Sequence, residues 1–317
     1  MFSTLASADG VQWLSILVKT IAYGATLVAA GSVVVFVTLR SLDNDNRRAV
    51  KRLSSGAALL AAIVSALLIP IQASFLMGGT LAGATNPMLL GMVSDSPLGS
   101  SIFLRLVGLG LILALLLPHR AGLWVAMAGA VLVCASFALQ GHALKDPRLL
   151  LGLLITLHIL GLAFWIGAFA PLLRAAGLED TAQAGGLAHE FGEQALWAVA
   201  GLVVMGAMTL GFLTNWRLAA LFSPYGQFFA IKLVVFAGVL GLAGWNKLRL
   251  TPALRGGDTK AAKQLRGSVR IEAALIVIIL LTTAALTTLT SPPRPEVATP
   301  ERAQNSADLS PNKDRTG

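Results

Sequence analysis

The chain has 317 residues, of which 56% are hydrophobic and only 12% charged, and its mean hydropathy is +0.76. A soluble domain of this length usually carries about twice that charged fraction, so the composition excludes an ordinary soluble protein and predicts an integral membrane protein. The formal net charge is +9. The one cysteine, Cys134, excludes an intrachain disulfide and a thiolate cluster, and we expect it to be a small buried hydrophobe.

Apolar runs of about 20 residues, long enough to cross the hydrocarbon core as helices, follow one another along the chain. They are rich in Leu, Ala and Gly and do not alternate as strands do, so we predict an all-α polytopic membrane helix bundle with eight transmembrane helices. The predicted spans are 11–39, 53–77, 98–117, 121–140, 149–173, 192–213, 226–245 and 269–290. The predicted domain organisation is one transmembrane unit over 1–290 and a disordered polar tail over 291–317.

Lys and Arg concentrate in the first and seventh connections between spans. These residues are Arg40, Arg47, Arg48, Lys51, Arg52, Lys247, Arg249, Arg255, Lys260, Lys263, Arg266 and Arg270. The positive-inside rule places both connections in the cytoplasm, so the N and C termini are expected outside. Because this topology accounts for the positive charge, the expected partner of the basic loops is the lipid bilayer, and we expect no nucleic acid partner.

Polar side chains occur on six spans at a similar depth in the outward half, given a helical rise of about 1.5 Å per residue. They are Lys19, Gln72, Arg105, His142, His158 and Lys232. His158 lies roughly 13 Å from the outer end of its span, near the midplane, whereas His142 lies at the outer mouth. An ionisable group at that depth must be satisfied by protein, so His158, with Trp165 on the same helical stripe, is the predicted centre of a site. Arg105 and Lys19 are expected to reach outward to headgroups.

Thioether side chains lie at similar depth or above it. Met205 and Met208 are in the sixth span, Met77 ends the second, and Met88 and Met92 lie on a short outer helix that Asn86 and Pro87 are expected to begin. Thioether and imidazole together favour Cu(I), whereas hard cations need carboxylates that this outer half lacks. The candidate metal ligands are therefore His158, His142, Met205, Met208, Met88, Met92 and Met77, and the supporting polar residues are Gln72, Arg105, Trp165, Lys232 and Lys19. Core packing is the alternative role of each methionine.

Glu272 lies at the predicted cytoplasmic start of the eighth span. A carboxylate there complements the helix dipole and can pair with Arg270 or a neighbour, so a structural role is expected. The inner halves of the spans are otherwise very apolar, which argues against a continuous path across the membrane.

Short motifs recur along the chain in a defined order. They are Ser96-Pro97-Leu98-Gly99 with Arg105, Gly141-His142-Ala143, His158 with Phe164-Trp165-Ile166-Gly167, Tyr225-Gly226 with Lys232, Asn246 with Arg249-Leu250-Thr251-Pro252, and Ser268-Val269-Arg270-Ile271-Glu272. In order and spacing they resemble the copper resistance D (CopD/PcoD) family of bacterial inner-membrane proteins, over a family-like core of about 72–292. The resemblance implies a multi-pass protein that brings copper inward from the periplasm, often beside a periplasmic CopC-type copper-binding partner. Both termini would then be periplasmic.

Three functions remain open from the sequence. The first is copper import or delivery through a His/Met site without an ATPase motor, because no Walker segment is present. The second is a haem-binding electron-transfer protein, with His142 and His158 as axial ligands and Arg105 and Lys232 beside the propionates. The third is a copper-docking or assembly factor that transports nothing. No His-Glu-x-x-His or Gly-x-Ser-x-Gly segment occurs, so an enzyme is not expected.

Overall fold

The computed structural model describes residues 9–140, 147–177, 180–214 and 224–289. Within these ranges the chain is helical, and eight helices are long and apolar enough to cross a membrane. Their bounds are Gly10–Thr38, Asn44–Leu76, Pro97–Leu116, Arg120–Leu139, Arg148–Ala175, Thr181–Thr209, Ala230–Arg255 and Thr259–Leu289. The predicted all-α class and the predicted number of spans are confirmed. His142 and the tail over 291–317 lie outside the described residues.

The helices are numbered in chain order. They are α1 Gly10–Thr38, α2 Asn44–Ala66, α3 Leu68–Leu76, α4 Leu81–Thr85, α5 Pro87–Ser94, α6 Pro97–Ile112, α7 Arg120–Ser136, α8 Arg148–Ala175, α9 Thr181–Thr214, α10 Pro224–Trp245, α11 Thr251–Arg255 and α12 Thr259–Leu289. Short 3₁₀ segments, Leu113–Leu116 and Phe137–Leu139, extend α6 and α7. A π-helical segment, Asn246–Leu250, joins α10 to α11.

Side-chain caps explain where the helices on the connections begin. The short helix predicted from Asn86 and Pro87 is present as α5, and the Asn86 Oδ1 atom accepts hydrogen bonds from the Met88 and Leu89 amides at 3.0 and 3.4 Å. Asp43 caps α2 in the same way. Each cap satisfies backbone N–H groups that have no partner inside the first turn.

Three helices begin well before their predicted apolar spans, α2 at Asn44 rather than 53, α9 at Thr181 rather than 192 and α12 at Thr259 rather than 269. Their first turns are polar, so the hydropathy of the sequence did not mark them. Glu272 consequently lies roughly three and a half turns inside α12. The predicted pairing of Glu272 with the helix dipole is wrong, because the dipole acts only on the first turn.

Polar contacts join the two connections rich in Lys and Arg to α9 at one end of the bundle. The Glu190 carboxylate of α9 accepts hydrogen bonds from the backbone amides of Arg40 and Ser41, both at 2.8 Å. Lys247 donates to Glu193 Oε1 at 2.8 Å. We call this region, residues 39–43, 181–193 and 246–258, the basic end. The opposite end contains the start of α1, the end of α12 and the short helices α4 and α5.

Glu190 is expected to contribute measurably to stability, because it supplies the acceptor for two backbone amides at the end of α1. Glu190→Ala should lower the free energy of unfolding by about 1 kcal/mol. Thermal unfolding of the purified protein in detergent measures this. Glu193→Ala is the matched control, since its solvent-exposed pair with Lys247 should contribute much less to stability. Equal effects of the two substitutions would contradict the prediction.

The core is built where small residues let helices approach closely. Gly31 of α1 faces Ala163 and Gly167 of α8, and a Cβ atom added to Gly31 would lie 2.6 Å from the Ala163 carbonyl carbon. In α6 and α7, a Cβ atom added to Gly129 would lie 2.6 Å from the Gly108 carbonyl oxygen. Such contacts are the usual basis of helix association in membranes, where lipid tails are as apolar as the helices themselves.

Candidate metal-handling site

His158 lies on the face of α8 that packs against α9. The Cε1 atom of His158 is 3.7 Å from the position that a Cβ atom on Gly206 would occupy. The imidazole also interacts with the backbone of Leu202, one turn earlier on α9. One turn further along α8, Gly161 packs against the Leu202 side chain, with 3.2 Å between its Cβ position and the Leu202 Cδ2 atom. Gly161 and Gly206 therefore allow α9 to approach the imidazole closely.

One nitrogen of the His158 ring is left without a partner. The Nδ1 atom is buried and accepts no hydrogen bond from the described part of the chain. A ring nitrogen of a neutral imidazole that has no hydrogen-bond partner keeps its lone pair available for a metal ion.

The two methionines of α9 differ in their position relative to His158. Successive residues of an α-helix are turned by about 100°, so Met205 lies roughly 80° from the middle of the Leu202–Gly206 contact and Met208 roughly 140° from it. Both side chains are partly buried. Met205 is therefore the better placed of the two to approach the imidazole.

Lys232 of α10 is an electrostatic neighbour of His158. The side chain is partly buried. A protonated ammonium group donates hydrogen bonds and has no lone pair for a metal. In that form Lys232 would contribute a positive charge beside His158 and would not bind a metal ion.

Arg105 is fully buried, with 1% of its surface exposed. Its Nε atom donates to the Ser136 Oγ atom at 3.1 Å, and its guanidinium carbon lies 4.3 Å from the centre of the Phe137 ring. Ser101 donates to the Ser136 carbonyl oxygen at 2.6 Å. The expectation that Arg105 reaches outward to headgroups is wrong. Arg105 instead holds the end of α7, shortly before the segment that contains His142.

Ser136→Ala should destabilise the bundle by about 1–3 kcal/mol, because it leaves the buried Arg105 Nε–H group without its acceptor. Thermal unfolding in detergent is the measurement. Ser100→Ala is the control, since Ser100 is an exposed serine of the neighbouring helix α6. A Ser136→Ala protein that unfolds at the wild-type temperature would show that the hydrogen bond is dispensable.

The remaining predicted residues lie towards the opposite end. Lys19 donates to the Thr288 hydroxyl at 2.9 Å, where an ammonium group also complements the carbonyl end of α12. Gln72 is partly buried on α3. Met77, Met88 and Met92 are exposed, and Met88 has 74% of its surface free. The last two belong to α5, which packs on α3, α4 and α6.

Metal-binding side chains other than His and Met are sparse in the described ranges. Within residues 9–140, 147–177, 180–214 and 224–289, no three His, Cys, Asp or Glu side chains group together as a metal site. Cys134 is free and fully buried. A site in this part of the bundle would therefore use imidazole and thioether ligands, which are the donors that Cu(I) prefers.

Sequence reasoning missed a largely apolar chamber that contains a few polar side chains, on the basic-end side of His158. Glu272 accepts hydrogen bonds from the Trp165 indole N–H at 3.2 Å and from the Asn246 side-chain amide at 2.6 Å. The three residues line a cavity of about 320 Å³ between α8, α9, α10 and α12. Trp165 thus supports Glu272 rather than the histidine. Placing the start of α12 at Thr259 would have revealed a carboxylate inside a membrane span.

The fold and these buried polar groups define a polytopic helical membrane protein with ligand-type side chains inside the bundle. The chain belongs to the copper resistance protein D family. The family profile described as "Copper resistance protein D" matches residues 185–286, and the profile of the "Copper resistance protein D-like, N-terminal domain" matches residues 8–150. The family resemblance inferred from the sequence motifs is confirmed, and the match reaches further towards the N terminus than residue 72.

A curated relative is similar over most of the chain. The copper resistance protein D of Pseudomonas syringae pv. tomato is 28% identical over 302 residues, which is 87% of this chain and 96% of the relative. No solved structure matches significantly.

Proposed function

We propose that this protein binds copper at His158 inside the bilayer and carries it inward across the bacterial inner membrane, as import or delivery from the periplasm. The observation that supports this most directly is the buried Nδ1 atom of His158, which has no hydrogen-bond partner among the described residues. The imidazole packs against α9, the helix that also carries Met205 and Met208. The family membership and the similarity to a copper resistance protein indicate that the metal is copper.

The orientation of the protein in the membrane is inferred from the charge distribution. The basic end carries the connections rich in Lys and Arg, so we assign it to the cytoplasm. Both termini and helix α5 are then periplasmic. The exposed thioethers of Met88 and Met92 on α5 are suited to collect Cu(I), either free or from a periplasmic CopC-type protein.

In this scheme copper is cargo and no catalytic residue is needed. Met77, Met88 and Met92 form the receiving surface, and His142 is the entrance. His158 receives the ion near the midplane, with Met205 or Met208 as a thioether ligand. Arg105 positions the end of α7 near the entrance, and Lys232, Lys19 and Gln72 are supporting polar groups.

Copper uptake by proteoliposomes tests the proposal. Vesicles that contain the purified wild-type protein should accumulate Cu(I) faster than protein-free vesicles, and the protein should retain copper after gel filtration. Binding without accumulation would contradict transport and identify a docking factor. A Soret band in the visible spectrum of the purified protein would instead identify haem bound by His142 and His158.

A further inference from the structure

The chamber around Glu272 contains a buried carboxylate that has no part in the proposed binding of copper at His158. The Glu272 side chain is 3% exposed, although it lies within a helix that crosses the membrane. Both carboxylate oxygens accept hydrogen bonds from neutral donors, Trp165 and Asn246. A carboxylate kept in a low-dielectric environment without a cation is costly, and such residues commonly mark ion or proton sites.

No cation in the described part of the chain pairs with Glu272. Lys247 is the other charged residue that lines the chamber, and its ammonium group donates to Glu193 Oε1 at 2.8 Å and to the Gly192 carbonyl at 2.9 Å. The contribution of α8 is the uncharged Trp165. Leu265 and Val269 of α12 line the chamber beside Glu272. An ionised Glu272 would therefore need a cation from outside these residues, whereas a bound proton would remove its charge.

The Asn246 side chain suits a carboxyl group that changes its protonation state. In the structure the Asn246 Nδ2 group donates to Glu272, while the Asn246 Oδ1 atom is buried and unpartnered within the described residues. Rotation of the amide by half a turn would present Oδ1 as an acceptor to a protonated Glu272. An amide has both a donor and an acceptor, so this pair is satisfied in either state.

The position of the chamber links His158 to the basic end. Trp165 follows His158 on α8 by about 10 Å along the helix axis. On the other side, Lys247 and Leu248 of the π-helical segment line the chamber and belong to the basic end. π-helical segments occur frequently at functional sites, and this one carries Asn246 at its first position.

We propose that Glu272 is a proton-binding site that exchanges with water at the basic end, and that its charge state is coupled to the cargo held at His158. The proton is taken from a water molecule or hydronium ion at that end and returned to it, so no other bond is made or broken. The proton-binding part stands on the geometry of the chamber alone. The coupling part rests on the proposed function.

Infrared difference spectroscopy of the protein in lipid nanodiscs tests the proton site without copper. Titration with acid and base should reveal the carbonyl band of a protonated carboxyl group, and Glu272→Gln should remove that band. Trp165→Phe should keep the band but move it to higher frequency, because the carboxyl group loses the indole hydrogen bond. Asp45→Asn, at an exposed carboxylate far from the chamber, should leave it unchanged. A wild-type protein without the band, or a band that survives Glu272→Gln, would overturn the proposal.

Copper uptake under an imposed pH gradient tests the coupling. Wild-type vesicles should change their rate of uptake several-fold when the gradient is reversed, and Glu272→Gln vesicles should bind copper but lose that dependence. Uptake that ignores the gradient in both proteins would overturn the coupling. If the infrared band is present but copper never accumulates, the transport proposal fails and the proton site stands. If copper accumulates and the band is absent, the proton site fails alone.

Discussion

Replacement of Gly31 by alanine is expected to destroy the packing of α1 against α8 and to leave little folded protein. The added methyl group would overlap the backbone carbonyl of Ala163 and would lie 3.0 Å from the Gly167 nitrogen. These neighbours are backbone atoms and cannot move aside as a flexible side chain can. The two helices would have to separate along their whole contact, so we expect a loss of about 3 kcal/mol or more, at the upper end of overpacking effects.

The test is the yield of monodisperse protein in detergent and its thermal unfolding temperature. Gly24→Ala is a matched control on the same helix, because its added Cβ atom would lie 3.6 Å from the Leu280 Cδ1 atom, an ordinary contact. Gly167→Ala should reproduce the effect, since a Cβ atom there would lie 2.8 Å from the Gly31 Cα atom. Gly31→Ala protein that unfolds at the wild-type temperature would show that the helices are not held at this separation.

His158→Ala is expected to weaken Cu(I) binding by more than about 100-fold, because it removes the proposed central ligand, and loss of a mere supporting group typically costs 10- to 100-fold. Stability should change little by comparison, since the imidazole leaves one ring nitrogen unpartnered in the described structure. Competition with a colorimetric Cu(I) chelator gives the affinity. The uptake rate in proteoliposomes should fall in parallel.

Three variants sharpen this test. Met205→Leu should weaken Cu(I) binding by about tenfold, whereas Met208→Leu should stay near the wild type, because Met205 lies closer to the face that contacts His158. Leucine preserves the volume of methionine but has no sulfur. His189→Ala removes a histidine from the basic end and should have no effect. If His158→Ala binds copper as the wild type does, His158 is not the central ligand.

The spans could be predicted because the thickness of the bilayer fixes the length of an apolar helix. The starts of α9 and α12 could not, because they lie in polar sequence and are decided by contacts across the fold. Gln183, for example, donates to Asp43 at 2.7 Å, and this contact joins the first turn of α9 to the cap of α2. Hydropathy along one segment contains no information about a partner so far away in the chain.

The helices that carry the candidate residues could be predicted, but not the partners of their side chains. The sequence predicts His158 within the fifth span, and the structure adds α9 as the helix that it faces. The sequence predicts that Arg105 contacts lipid headgroups, whereas in the structure its guanidinium group contacts Ser136 and the Phe137 ring. Glu272 was assigned a role at a helix start because the preceding polar turns were not recognised as helix. Side-chain partners of this kind depend on which helices are neighbours, and the hydrophobic pattern of a single helix does not reveal its neighbours.

The π-helical segment has a consequence for the length of the chain between α10 and α11. A π turn holds one residue more than an α turn needs. The wide turn absorbs this residue, so α11 keeps nearly the rotation relative to α10 that a regular helix one residue shorter would give it. Within the segment, successive side chains are turned by less than the roughly 100° of an α-helix. Asn246 and Lys247 reach partners on different helices, Glu272 and Glu193, from this segment. Deletion of one residue within Asn246–Leu250 would restore the α-helical turn between these two side chains, and we therefore expect the segment to tolerate substitutions better than any change in its length.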